Sequence, residues 1–99
     1  LQDYRGAIED FNKCLAIATE FPGGYFNRGN AKMLLKDSKA AIQDFTLAIK
    51  FNPKYAEAYH NLGGLKFDSG DKSGARADWK KASELGYKPA EEIVEKFCK

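Results

Sequence analysis

The sequence is poor in the residues that usually carry chemistry. It has one histidine, His60, and two cysteines, Cys14 and Cys98, in 99 residues. A metal centre asks for several His, Cys or carboxylate ligands at set spacings. His60 has no second histidine near a cysteine or carboxylate at such a spacing. A phosphate-cradling loop is missing too: Gly23-Gly24 and Gly63-Gly64 lack the following Lys-Ser/Thr and the strand context. These absences argue against an enzyme, a metal and a cofactor. No apolar run approaches the ~20 residues of a membrane span, and no signal-peptide pattern occurs. An excess of one charge is lacking as well, with 16 Lys+Arg against 14 Asp+Glu, net +2, intermixed along the chain. Nucleic-acid binders gather their basic residues on one face or helix. The expected partners therefore include neither nucleic acid nor membrane.

What is present suits one soluble domain, with 43% hydrophobic residues for a core and 30% charged residues for a surface. Tyr4, Ala7, Ile8, Phe11, Cys14 and Leu15 recur at three- and four-residue steps, which predicts a helix over 1–18. Phe21-Pro22-Gly23-Gly24 reads as a breaker. A second helix follows over 25–35 and a third over about 37–51, opened by the N-cap types Asp37 and Ser38. Asn52-Pro53 ends that helix and begins the next. Further helices are expected over 56–67, 72–85 and 89–99, with Gly86 as the C′ residue of the fifth.

A period runs through these elements. Tyr25, Gly29, Ala41 and Phe45 return 34 residues later as Tyr59, Gly63, Ala75 and Trp79, and the last pair appears 34 residues earlier as Ala7 and Phe11. Asp3/Asp37/Asp71, Asp10/Asp44/Asp78, Cys14/Ala48/Ala82 and Asn27/Asn61 keep the same step. Glycine inside a helix costs ~1 kcal/mol against alanine, so the return of Gly29 as Gly63 points to a place where a partner helix comes close. An aromatic, a glycine four residues on, then Ala-x-x-x-aromatic, all at this period, resembles the tetratricopeptide repeat family.

The resemblance implies an all-α fold: a right-handed superhelical stack of antiparallel helix pairs, a TPR-type α-solenoid with a C-terminal capping helix. One domain over 1–99 would divide into the second helix of a truncated repeat (1–21), two complete repeats (22–55 and 56–88) and the cap (89–99). The last helix is a cap because Phe97 takes the place of Gly29 and Gly63. The pattern departs from the family in the first helices. Arg28 stands where Leu is usual, and Lys32 and Lys66 stand where Tyr is usual. Met33 and Phe67 follow directly, and whether they line core or groove stays open.

The family's use is binding of a peptide or partner segment in a concave groove lined by the first helices, as a non-catalytic scaffold. Groove positions carried over to this chain are Phe26, Asn27, Asn30 and Leu34, then Glu57, His60, Asn61, Gly64 and Asp68. Phe26 is expected to stand outside the Tyr25/Gly29 packing line as an apolar anchor. One subgroup clamps a C-terminal carboxylate with Asn and basic residues. Asn30 and Asn61 match it, but Phe26, Glu91 and Glu95 stand where cations are needed, so the clamp is not carried over. Cys14, in an alanine slot, reads as a small buried hydrophobe. A Cys14–Cys98 bridge would link the first and last helices and is not expected. That cysteine usage is compatible with a reducing compartment and favours the cytoplasm. The alternative function is self-assembly, a homodimer through Ala7, Ile8, Phe11 and Leu15 at the N-terminal edge, with no peptide ligand. RNA binding by a related helical repeat would want a basic channel, which Glu57, Asp68, Glu91 and Glu95 oppose.

Overall fold

The computed structural model describes residues 3–97, with side chains through Glu95. Its elements are α1 (Tyr4–Ile17), α2 (Pro22–Leu34), α3 (Ser38–Phe51), α4 (Ala56–Asp68), α5 (Lys72–Glu84) and α6 (Lys88–Phe97). No strand occurs among the described residues. The chain divides after Pro53 into two compact units. In the first, α2 packs against both α1 and α3; in the second, α5 packs against both α4 and α6.

Local chemistry sets the helix ends, and it repeats. Asp3, Asp37 and Asp71 are N-caps whose carboxylates accept from the backbone N–H of Gly6, Ala40 and Gly74 at 2.9, 3.4 and 2.9 Å. The ends of α2, α4 and α5 share a second device. A residue with positive φ (Lys36 at 66°, Gly70 at 94°, Gly86 at 88°) turns the chain out of the helix. The next N–H, of Asp37, Asp71 or Tyr87, then donates to the carbonyl of Lys32, Lys66 or Ala82 at 2.9, 2.9 and 3.1 Å. Glycine fills that site twice; at Lys36 a side chain sits in a region that disfavours it.

Two sequence expectations change here. Pro22-Gly23-Gly24 does not separate α1 from α2 but forms the first turn of α2, with Pro22 near its N-terminus. Proline is tolerated there because its missing N–H would have had no intrahelical partner. Gly24 is required by closeness: a Cβ would lie 2.8 Å from Leu15 Cδ2. Pro53, conversely, lies in the turn before α4, which begins at Ala56.

The core of each unit forms where the first helix of a pair meets the second. At Gly29 a Cβ would lie 3.0 Å from Phe45 Cε1, and at Gly63 only 2.7 Å from the Trp79 ring and 3.2 Å from the Ala75 carbonyl oxygen. Ala41, Phe45, Ala48, Ala75, Trp79 and Ala82 are buried, Phe45 completely. Phe26 joins this core, contrary to expectation. It is 9% exposed and its ring tilts against Phe45 at 5.7 Å. The reason is helical register: Phe26 precedes Gly29 by three residues, so its ring lies beside the glycine on the side that α3 covers.

Cys14 is the opposite correction. It is exposed, whereas Ala48 and Ala82 at the same repeat position are buried. Among the described residues, no helix other than α2 makes a substantial contact with α1. Leu15 is the buried residue of α1, while Ala7, Ile8 and Phe11 are half-buried. Cys98 and the expected end of the sixth helix at Lys99 lie outside the described residues, as does the Phe97 side chain on which the cap expectation rests.

Two stability predictions follow from the packing. Phe45→Ala and Trp79→Ala should each lower the unfolding free energy by about 3–5 kcal/mol in chemical denaturation, because each leaves a large void. Lys36→Gly should raise it by roughly 1 kcal/mol, since it relieves a left-handed side chain at a helix end.

Candidate functional site

The candidate residues lie on two helices, one in each unit. On α2, Asn27, Asn30 and Leu34 follow at three- and four-residue steps, so they share a stripe. Asn27 is exposed, Asn30 half-buried and Leu34 54% exposed. Phe26 drops out of this stripe, since α3 covers it. On α4, Glu57, His60, Asn61, Gly64 and Asp68 form the corresponding stripe. Glu57 and Asp68 are exposed, and His60, Asn61 and Gly64 are half-buried. His60 occupies the place of Phe26 and meets Tyr87 edge-on at 5.1 Å. Its carbonyl accepts the Trp79 indole N–H at 3.2 Å, which ties α4 to α5. Burial pulls the His60 pKa below its ordinary value.

Phe67 is 39% exposed. One face of its ring packs on Trp79 at 5.5 Å, and the Lys72 ammonium lies 5.8 Å from its centroid. It is thus divided between core and surface. Met33, its counterpart in the first unit, is half-buried.

Beside these stripes lies a charged cluster that sequence reasoning missed. Asp44 on α3 is 2% exposed. It accepts two hydrogen bonds from the Arg28 guanidinium, Nε to Oδ2 at 2.9 Å and NH2 to Oδ1 at 2.8 Å. Lys32 Nζ lies 3.0 Å from Oδ2. The remaining arm of Arg28 donates to Asn12 Oδ1 on α1 at 2.8 Å. Arg28 thereby joins three helices, and its hydrogen bonds to Asp44 raise its pKa against the cost of burial.

The second unit keeps half of this arrangement. Lys66 Nζ lies 2.9 Å from Asp78 Oδ2, and Leu62 stands where the first unit has Arg28. Burial raises the Asp78 pKa, only partly opposed by Lys66. Lys32 and Lys66 thus stand in the family's tyrosine position as partners of Asp44 and Asp78. The signal was in the sequence: Asp44/Asp78 and Lys32/Lys66 share one period. Among the described residues, no group of three His, Cys, Asp or Glu is placed to hold a metal ion. Nor is any helix there long and apolar enough to cross a membrane.

Comparison with known proteins bears on one stretch of the chain and on its fold. A family model described as "Tetratricopeptide repeat" matches residues 22–55. Residues 22–55 carry a tetratricopeptide repeat. Its all-α fold is that of tetratricopeptide-repeat solenoids, a class of generally non-catalytic protein-interaction modules. The structure described as the first TPR of Spaghetti (RPAP3), bound to the HSP90 peptide SRMEEVD, is similar with a TM-score of 0.86 and 27% identity over 94% of this chain and 77% of that one. A crystal structure of MamA matches with a TM-score of 0.81 and 28% identity, over 84% of this chain and 48% of that one. MamA 41-end from Desulfovibrio magneticus RS-1, at 21% identity, TM-score 0.78, and 83% and 46% coverage, shares the fold. The chain spans about half the length of the MamA chains it matches. Comparison with curated proteins gives no match.

The two ion pairs should differ in worth. Asp44→Asn leaves Arg28 and Lys32 facing a neutral amide in a buried site and should cost about 3 kcal/mol in urea denaturation. Asp78→Asn should cost less than about 1 kcal/mol, because its partner Lys66 is part-exposed and burial already disfavours the carboxylate.

His60 generates a pH prediction. A histidine whose folded pKa is depressed contributes stability above its unfolded value and loses it as pH falls. Wild type should therefore weaken relative to His60→Gln between about pH 7 and pH 5, read as the difference in denaturation midpoints. Asp78 acts with the opposite sign at lower pH, since its raised pKa favours the fold when protonated. It is present in both proteins and cancels in the comparison.

Proposed function

We propose that this chain binds a segment of another protein along the outward stripes of its first helices, without chemistry. The observation that carries the reading is the division of labour within α2 and α4. Gly29 and Gly63 are consumed by packing, while Asn27, Leu34, Glu57 and Asp68 stay exposed. A tetratricopeptide-repeat structure similar over 94% of this chain is bound to an HSP90 peptide, which supports a peptide as the occupant.

The charge points away from that peptide's chemistry. SRMEEVD is acidic, and Glu57, Asp68, Glu91 and Glu95 are exposed carboxylates of the second unit. They would repel an acidic tail. Phe26, buried, cannot serve as the apolar anchor. Leu34 and Phe67 are the large apolar side chains of α2 and α4 that remain exposed. A basic or neutral peptide with one bulky apolar residue should therefore bind better than SRMEEVD. A peptide array probed with the labelled chain tests this, with Leu34→Ala as control. Weaker binding of SRMEEVD and loss of signal with Leu34→Ala are expected. Preference for acidic tails would overturn this charge preference, though not peptide binding itself.

One observation favours the second reading, self-assembly, but through other residues than the expected edge, since Leu15 is buried and Ala7, Ile8 and Phe11 are half-buried. On α1 and just after it, Ile17 is 89% exposed, and Cys14 and Phe21 are exposed with it. Apolar side chains exposed this close together in sequence offer material for an interface. Sedimentation equilibrium tests it: a concentration-dependent mass that Ile17→Glu abolishes supports assembly, and a constant monomer mass rejects it.

A further inference from the structure

The middle of α4 holds two adjacent glycines with opposite surroundings. A Cβ at Gly63 would collide with the Trp79 ring, whereas at Gly64 it would meet no atom within 4 Å. Glycine is disfavoured in helix interiors relative to alanine, and packing explains only Gly63. Gly64 leaves a notch in the outward stripe of α4, with His60 and Asn61 one turn before it and Phe67 and Asp68 one turn after it. Glu57 lies two turns before it on the same side. Lys66, the one cation in the α4 sequence, faces Asp78 at 2.9 Å. The stripe is therefore open at Gly64, flanked there by His60 and Asn61 on one side and the exposed part of Phe67 on the other, and anionic towards both ends at Glu57 and Asp68.

We infer that Gly64 is the seat of a bulky apolar side chain from an extended, basic peptide laid along α4. The inference rests on the peptide-binding reading and adds to it a contact point and a spacing. Along a helix, Gly64 lies about 6 Å from Asp68 and about 10.5 Å from Glu57. An extended peptide advances about 3.3 Å per residue. Side chains of an extended strand alternate between its faces. A lysine or arginine two residues to one side of the apolar residue therefore reaches Asp68, and one four residues to the other side, on the same face, reaches back to Glu57. The occupant carries basic-x-apolar-x-x-x-basic in one direction or the other, with the apolar side chain over Gly64 and beside the exposed part of Phe67.

The test is to pan a random-peptide display library on the wild-type chain. The enriched peptides are then synthesised with a fluorescent label and measured against wild type, Gly64→Ala and Gly64→Gln. Enrichment of the basic–apolar–basic spacing is expected. Gly64→Gln should weaken binding by about tenfold or more, since the notch is then filled. Because the added atoms meet open space, both variants should melt at or up to about 4–8 °C above wild type. Asp68→Asn should weaken binding further and flatten its salt dependence. Peptides that bind Gly64→Gln as tightly as wild type, acidic enriched sequences, or a lower melting temperature of Gly64→Ala would each overturn this inference while leaving peptide binding intact. No enrichment at all would overturn the peptide-binding reading, and this inference with it.

Discussion

The close approach of two helices at a glycine is the constraint on which the rest of each unit depends. Gly29 admits Phe45, and Gly63 admits Trp79 and the Ala75 carbonyl. Once these contacts are made, the rotation of α2 and α4 about their own axes is fixed. One side of each helix is committed to the core, and with it Phe26, whose ring follows the glycine inward. The opposite side carries exposed groups, Asn27 and Leu34 on α2 and Glu57 and Asp68 on α4. Small residues at Ala41, Ala48, Ala75 and Ala82 permit the approach and the aromatics fill what remains, so the contact is both close and well filled.

The buried carboxylates sit at the edge of this contact, and the two units treat them differently. Asp44 is held by a bidentate guanidinium and an ammonium, which offsets its desolvation. Asp78 has one ammonium and a raised pKa. Where the first unit spends an arginine, the second has Leu62, buried. The first unit gains specificity of register, because Arg28 also reaches Asn12 on α1. The second relies on apolar packing and on the Trp79–His60 hydrogen bond. Equivalent positions in a repeat therefore need not carry equivalent energies.

Much of the fold was legible because its causes are local and periodic. Glycine and aromatic at a 34-residue step, Asp caps at the same step, and Gly86 after α5 need no knowledge of distant contacts. The failures came where a neighbour decides. Pro22-Gly23-Gly24 reads as a breaker until Leu15 is known to press on Gly24. Phe26 reads as a free ring until α3 is placed against it. Cys14 shares its repeat position with two buried alanines and yet is exposed, because burial belongs to the surroundings and not to the position. The lysines at 32 and 66 looked like departures from a pattern; placed beside Asp44 and Asp78, they complete one.

In the candidate site, sequence reading located the stripes but not their composition. Register alone puts Asn27, Leu34, Asn61 and Asp68 on the outward sides, whereas the openness at Gly64 and the loss of Phe26 depend on packing. The central proposal is that the glycine side of each first helix holds the unit together and the opposite side is offered to a partner. Backbone NMR shifts on titration with a library-selected peptide measure this most directly. The account predicts the largest changes at Asn27, Leu34, Asn61, Gly64 and Asp68, with little change along the exposed side of α3 and α5. Shifts concentrated instead at Gln43, Lys50, Arg76 and Lys80, with α2 and α4 unmoved, would contradict it.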